Sequence, residues 1–208
     1  MNKILLVLTL SAILIGCSED GTLKVINRTA HEIYFNVNGG DYTISGSADL
    51  NNPLSISVEL DAGSDFMNTP KKTYYLEIEG ETFAIYNENE QTNVPGTEIT
   101  IKGGETTSAY CDPNFACLRI NNNSSQDVES ACYIKSYNGF QIDIPEAEGL
   151  CPGTSVYIRL EYSLEIAEEP EDIFYYTIQV IMQDSTAYNF GDESTILYLD
   201  DLLNITVE

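Results

Sequence analysis

Several stretches of this chain return later in the same order, which constrains the fold more than any other feature. The segment LKVINRT at Leu23–Thr29 reappears as LRINNNS at Leu118–Ser124. Both read leucine, base, β-branched residue, any, asparagine, any, hydroxyl. Further echoes follow: VNGG (Val37–Gly40) with YNGF (Tyr137–Phe140), and SISVEL (Ser55–Leu60) with SVYIRLEY (Ser155–Tyr162). KTYYLEIEG (Lys72–Gly80) then matches IFYYTIQVI (Ile173–Ile181), and EITI (Glu98–Ile101) matches NITV (Asn204–Val207). The offset drifts from 95 to 106 residues, as insertions in loops between shared elements would cause. The pattern predicts one unit built twice, over residues 21–110 and 118–208, with 111–117 as linker. Units of about 90 residues can each bury a core of their own.

Within each copy the apolar period is two. Ile56, Val58 and Leu60 alternate with Ser55, Ser57 and Glu59, and Tyr74, Leu76 and Ile78 alternate with Tyr75, Glu77 and Glu79. Val156, Ile158, Leu160, Tyr162 and Leu164 repeat the pattern. Half-buried antiparallel strands produce this alternation, because successive side chains point to opposite faces. Turn chemistry fills the gaps at Asn38-Gly39-Gly40, Pro95-Gly96, Gly103-Gly104, Asn138-Gly139 and Pro152-Gly153. Asn27 and Asn122, each two before a hydroxyl residue, suit side-chain-capped turns. The fold class expected is all-β, with two tandem antiparallel β-sandwich domains of similar topology. The layout of a first LxVxNxT strand, later strands and Pro-Gly turns resembles the immunoglobulin-like or transthyretin-like sandwiches of exported bacterial lipoproteins. That resemblance implies a fold and no catalytic residues. A single larger sandwich drawn from both halves is the alternative.

The N-terminus predicts an address. Met1–Lys3 is a short cationic start, and ten of the twelve residues from Ile4 to Ile15 are apolar. Spanning a bilayer takes about twenty residues, so this is an export signal rather than a membrane helix. LIGC (Leu14–Cys17) resembles the lipobox of bacterial lipoproteins. The resemblance implies removal of residues 1–16, acylation of Cys17 with palmitate-type chains, and 17–20 as a tether. Two or three chains anchor durably at about 0.8 kcal/mol per buried CH₂. Ser18, Glu19 and Asp20 resemble the acidic export signal of Bacteroidetes lipoproteins, which implies an outer-membrane location and exposure on the cell surface.

Without residues 1–16 the chain holds 8 basic against 33 acidic residues, a net charge of −25. Such a field repels nucleic acid and anionic lipid, which excludes partners bound through basic patches. The membrane enters only through the anchor, and a protein or glycan partner stays open. Cys111, Cys117, Cys132 and Cys151 remain after Cys17. An even number in an exported chain reads as disulfides. The preferred pairing is Cys111–Cys117 with Cys132–Cys151; the other is Cys117–Cys132 with Cys111–Cys151, should the strands around Cys117 and Cys132 form a hairpin. A zinc site would want CxxC spacing, which is missing.

No residue set announces an enzyme. His31 is the one histidine and shares the phase of Ile33, Phe35 and Val37, which suits a partly buried structural role. The densest acidic run holds Glu165, Glu168, Glu169, Glu171 and Asp172. It reads either as a solvated loop or as a weak calcium site, Ca²⁺ being the one cofactor in view. Asp61 and Asp65 in DAGSD fit calcium less well. Fourteen tyrosines and no tryptophan leave Tyr34, Tyr75, Tyr157 and Tyr175 on outward phases, for stacking or for β-propensity alone. DST (Asp184–Thr186) resembles the O-glycosylation site of exported Bacteroidetes proteins. The function expected is a lipid-anchored, non-enzymatic binding or structural module. The alternatives are an accessory glycan- or calcium-binding module and, further off, a hydrolase working through carboxylates such as Glu165, Glu168 and Glu169.

Overall fold

The computed structural model describes residues 19–47, 49, 51–65, 68–166 and 168–208; Cys17 and the segment before it lie outside them. The first half carries β1 (Asp20–Asn27), β2 (Ile33–Val37), β3 (Gly40–Ile44), β4 (Leu54–Asp61), β5 (Lys71–Gly80), β6 (Ile85–Asn87), β7 (Thr92–Val94), β8 (Gly96–Lys102) and β9 (Thr106–Cys111). The second carries β10 (Ala116–Asn122), β11 (Val128–Lys135), β12 (Gln141–Asp143), β13 (Thr154–Leu160), β14 (Tyr176–Met182), β15 (Ala187–Phe190) and β16 (Leu202–Val207).

Each half closes two sheets over its own core. In the first, the order β4-β1-β9 faces β3-β2-β5-β8; in the second, β13-β10-β16 faces β12-β11-β14-β15. Counterpart strands therefore hold counterpart places, and the chain is two tandem β-sandwiches of one topology. The small β6–β7 hairpin is an insertion confined to the first. Leu23, Val25, Phe35, Leu76 and Ile101 anchor one core, and Leu118, Ile120, Tyr176, Ile178 and Val180 the other. The register repeats as well: Leu23 faces Val58 and Val25 faces Ile56, as Leu118 faces Ile158 and Ile120 faces Val156.

Two details differ from the sequence reading. β1 runs parallel to β9, and β10 parallel to β16, although every other ladder is antiparallel. Period-two alternation says which face a residue takes, not the direction of its neighbour. The first strand also lies between the fourth and the last strand of the sandwich, whereas the antibody constant-type arrangement groups it with the second, fourth and fifth.

The paired asparagines explain how the chain turns from one sheet to the other. Buried Asn27 donates from Nδ2 to the carbonyls of His31 (2.7 Å) and Ser45 (3.1 Å), and its Oδ1 accepts the Thr29 amide at 2.8 Å. Asn122 does the same to Gln126 (2.7 Å) and Leu150 (2.8 Å), and accepts the Ser124 amide at 3.1 Å. Packing at the first elbow leaves no room for a side chain at Gly46, where a Cβ would come 1.9 Å from the Ala30 carbonyl oxygen. A second shared fixture is a buried tyrosine: Tyr74 donates to the Asp61 carbonyl at 2.6 Å, and Tyr176 to the Glu161 carbonyl at 2.8 Å. The Asn38-Gly39 turn has positive φ at both residues (53° and 77°), which a two-residue hairpin between twisted strands favours.

Candidate functional site

The chain passes from one sandwich to the other through 112–115, and this junction buries Glu81 and Thr82. Its lower wall is the turn after β5. Asn114 and Phe115 donate their amides to the Thr82 carbonyl, both at 3.0 Å, and the Asn114 side chain pairs with both backbone groups of Ala84 (2.8 and 3.0 Å). The linker is thus stitched down rather than loose.

Two acidic residues hold the halves together from opposite sides. Asp200, from the loop before β16, accepts the Ala30 amide at 2.7 Å and the Thr82 hydroxyl at 2.5 Å. Its carbonyl meets His31 Nε2 at 2.7 Å, which requires the proton on that nitrogen. Glu81, from the first half, is 2% exposed and accepts Arg119 of β10; its other oxygen lies 3.8 Å from His31 Nδ1. Arg159 of β13 donates to the Gly80 carbonyl at 2.9 Å and to Glu79 at 3.2 Å. A carboxylate this deeply buried is tolerated only when a cation and further donors surround it. His31 therefore serves the junction rather than a strand core.

Above the junction, the outer faces of both halves contribute a run of phenols and carboxylates. Tyr34 of β2 donates to Glu32 at 2.6 Å. Burial, then that hydrogen bond, pushes the Tyr34 phenol up to about 12. Across the boundary, burial raises Tyr157 of β13, and Glu79 adds to the effect. Of the four outward tyrosines, the junction brings Tyr34 and Tyr157 together. Tyr75 stands exposed farther along β5, and Tyr175 is half-buried, bridged to Ile196.

The cysteine expectations are corrected. Cys111, Cys117, Cys132 and Cys151 are all free thiols, so neither pairing forms. Cys111 points into the first core, whereas Cys117 lies on the outward phase of β10 in the second sandwich. Cys117 and Cys132 belong to opposite sheets and turn away from each other, because β10 and β11 do not form a hairpin. Cys151 adjoins Leu150, which bonds Val128 at the start of β11. Cys132 lies four residues further on, about 13 Å at strand spacing, beyond the roughly 7 Å a disulfide spans. Burial pushes the Cys111 and Cys117 thiols up to about 12.

The remaining candidates are dispersed. Glu165, Glu168, Glu169 and Glu171 are exposed. Asp172 Oδ2 caps a short 3-10 turn by accepting the amides of Glu168 (2.8 Å) and Glu169 (2.9 Å). Those amides, Glu169 first, hold its carboxyl below the usual range. Asp61 accepts Gly63 N and pairs with Lys72, and Asp65 accepts Asn68 N. Among the described residues, no three His, Cys, Asp or Glu side chains converge as a metal would need. Asp184 and Thr186 close the β14–β15 turn, the Thr186 amide donating to Asp184 at 2.9 Å. Among the described residues, no helix is long and apolar enough to cross a membrane.

No family model matches the chain, and no curated protein does. Among solved structures it is similar to the Bacillus anthracis TIE protein, at 12% identity and TM-score 0.29, over 91% of this chain and 34% of that one. The chain thus spans about a third of that protein's length. It is also similar to the major pilin of Streptococcus pyogenes, at 12% identity and TM-score 0.23, covering 91% of this chain and 97% of the pilin. The tip fimbrial protein of Porphyromonas gingivalis aligns at 8% identity and TM-score 0.27, over 83% of this chain and 81% of its own.

Proposed function

We propose that the chain is a lipid-anchored, non-enzymatic lipoprotein of the outer membrane or cell surface, whose two sandwiches form one rigid platform for a binding partner. The observation that carries this reading is the junction: Glu81 buried against Arg119, with Asp200 bonded to three groups of the first half, restrains the two domains against each other. A catalytic role for the one histidine competes with its place in that junction. The anchor rests on the lipobox resemblance. In its favour, Glu19 bonds Ala62 and Gly63 at the pole of the first sandwich where β1 begins, and β1 ends at the junction. An acylated Cys17 two residues earlier would hold that pole to the bilayer and present the second sandwich away from it.

The test is mass spectrometry of the processed N-terminus, together with protease treatment of intact cells. An acylated Cys17 and a chain cleaved without lysis are expected. An unmodified N-terminus would remove the anchor, and protection until lysis would place the protein on the inner side of the envelope.

A further inference from the structure

Two hollows meet at the junction and share one residue. The first, of about 440 Å³, lies on the outer face of β2, β3 and β5 and is lined by Tyr34, Asp41, Glu77 and Glu79. The second, of about 420 Å³, runs from Glu79 across to Asp143, Glu146, Tyr157 and Arg159 of the second sandwich. Glu79 lines both, and the Tyr34 and Tyr157 phenols are close enough to act on each other electrostatically. The two hollows therefore form one groove crossing the boundary.

Its charge is lopsided. Arg159 is met by Glu79 and Arg119 by Glu81. Among the described residues, no lysine or arginine forms an ion pair with Asp41, Glu77, Asp143 or Glu146. Asp41 accepts the neutral Asn36 amide at 2.7 Å. Carboxylates beside phenol rings suit a cation whose apolar stem lies over the rings. The shape adds a second condition. Tyr157, Ile158 and Arg159 of β13 line the second hollow, and β13 stands at the end of its sheet, paired with β10 alone, so its other edge is open. That edge presents backbone donors and acceptors to an extended chain. The net charge of −24 disfavours a second copy of this protein or an anionic lipid surface as occupant.

We propose that this groove binds an extended, lysine- or arginine-rich segment of a protein partner. Its cationic heads pair with Asp41, Glu77, Asp143 and Glu146, and its stems cover Tyr34 and Tyr157. The proposal rests on the platform reading above, but its test is independent of anchoring.

The full chain, held in detergent, is titrated with a fluorescent peptide of alternating lysine and serine and, separately, with its glutamate counterpart. Binding of the lysine peptide alone is expected, weakening about tenfold or more between about 50 and 300 mM salt. Asp143→Asn with Glu146→Gln should weaken binding about tenfold. Glu165→Gln with Glu168→Gln, an equal charge change on a remote loop, should leave it within about twofold. Equal loss in both double variants would overturn the proposal, since bulk charge would then suffice. Displacement of the peptide by a neutral oligosaccharide would overturn it in favour of a glycan site, and absence of binding at low salt would end it. None of these failures touches the N-terminal or protease results.

Discussion

Glu81 and Arg119 make the junction testable one side chain at a time. Arg119→Met leaves a carboxylate buried without its cation, and such a loss costs about 3–5 kcal/mol. Pairing it with Glu81→Leu removes the stranded charge and should recover most of that loss in urea unfolding. A single variant within about 1 kcal/mol of the parent would show that the contact adds little. The elbow asparagines are the second residue-scale case. Asn122→Ala removes the Nδ2 bonds to the Gln126 and Leu150 carbonyls and the acceptor of the Ser124 amide, at about 0.5–1.5 kcal/mol for each hydrogen bond lost, while the two carbonyls keep the Ser124 hydroxyl and the Val128 amide. The same urea measurement checks it, and Asn27→Ala should behave alike. These asparagines were legible because each stands two before a hydroxyl, a local signature with a local cause. Glu81, Asp200 and His31 were not, because their roles come from contacts up to 170 residues apart. Nothing in Gly-Glu-Thr or Leu-Asp-Asp announces them.

At the scale of strands, alternation located the faces well and the partners poorly. The NGG and NGF turns do occupy matching places, between β2 and β3 and between β11 and β12. The last echo does not. EITI lies in β8 of a four-stranded sheet, whereas NITV lies in β16, whose counterpart is β9. The tyrosine pairing slips by one residue, since hydrogen bonding equates Tyr74, not Tyr75, with Tyr176. Short β-branched runs look alike in any sheet, so order alone could not separate a sixth strand from a seventh. Leu164, expected inward, is exposed because β13 stops at Leu160. The cysteines follow the same logic, being assigned by spacing while the strands that carry them diverge. A thiol reagent should modify Cys151 alone in the native protein, and all four described thiols after unfolding without reductant. Fewer thiols after unfolding would mean that disulfides form.

For the whole molecule, titration sets an alkaline limit. The Cys111 and Cys117 thiols rise from 9.0 to about 12, and the Tyr34 phenol from 10.0 to about 12. Between these limits the folded chain binds more protons than the unfolded one, so stability falls as pH rises. The contribution is intact below about pH 9 and is lost by about pH 12. A melting temperature that declines across that window is expected; one that is level from pH 8 to about 12 would mean that these groups are not buried as described. The duplicated topology and the locked junction together make the central claim, that two look-alike sandwiches behave as one body. Electron–electron double resonance between spin labels on Cys151 and on Ser57→Cys measures it most directly, since both positions are exposed and each lies in a different sandwich. One narrow distance distribution is expected, broadening when Arg119→Met and Asp200→Asn are introduced together. A distribution already broad in the parent would contradict a locked pair.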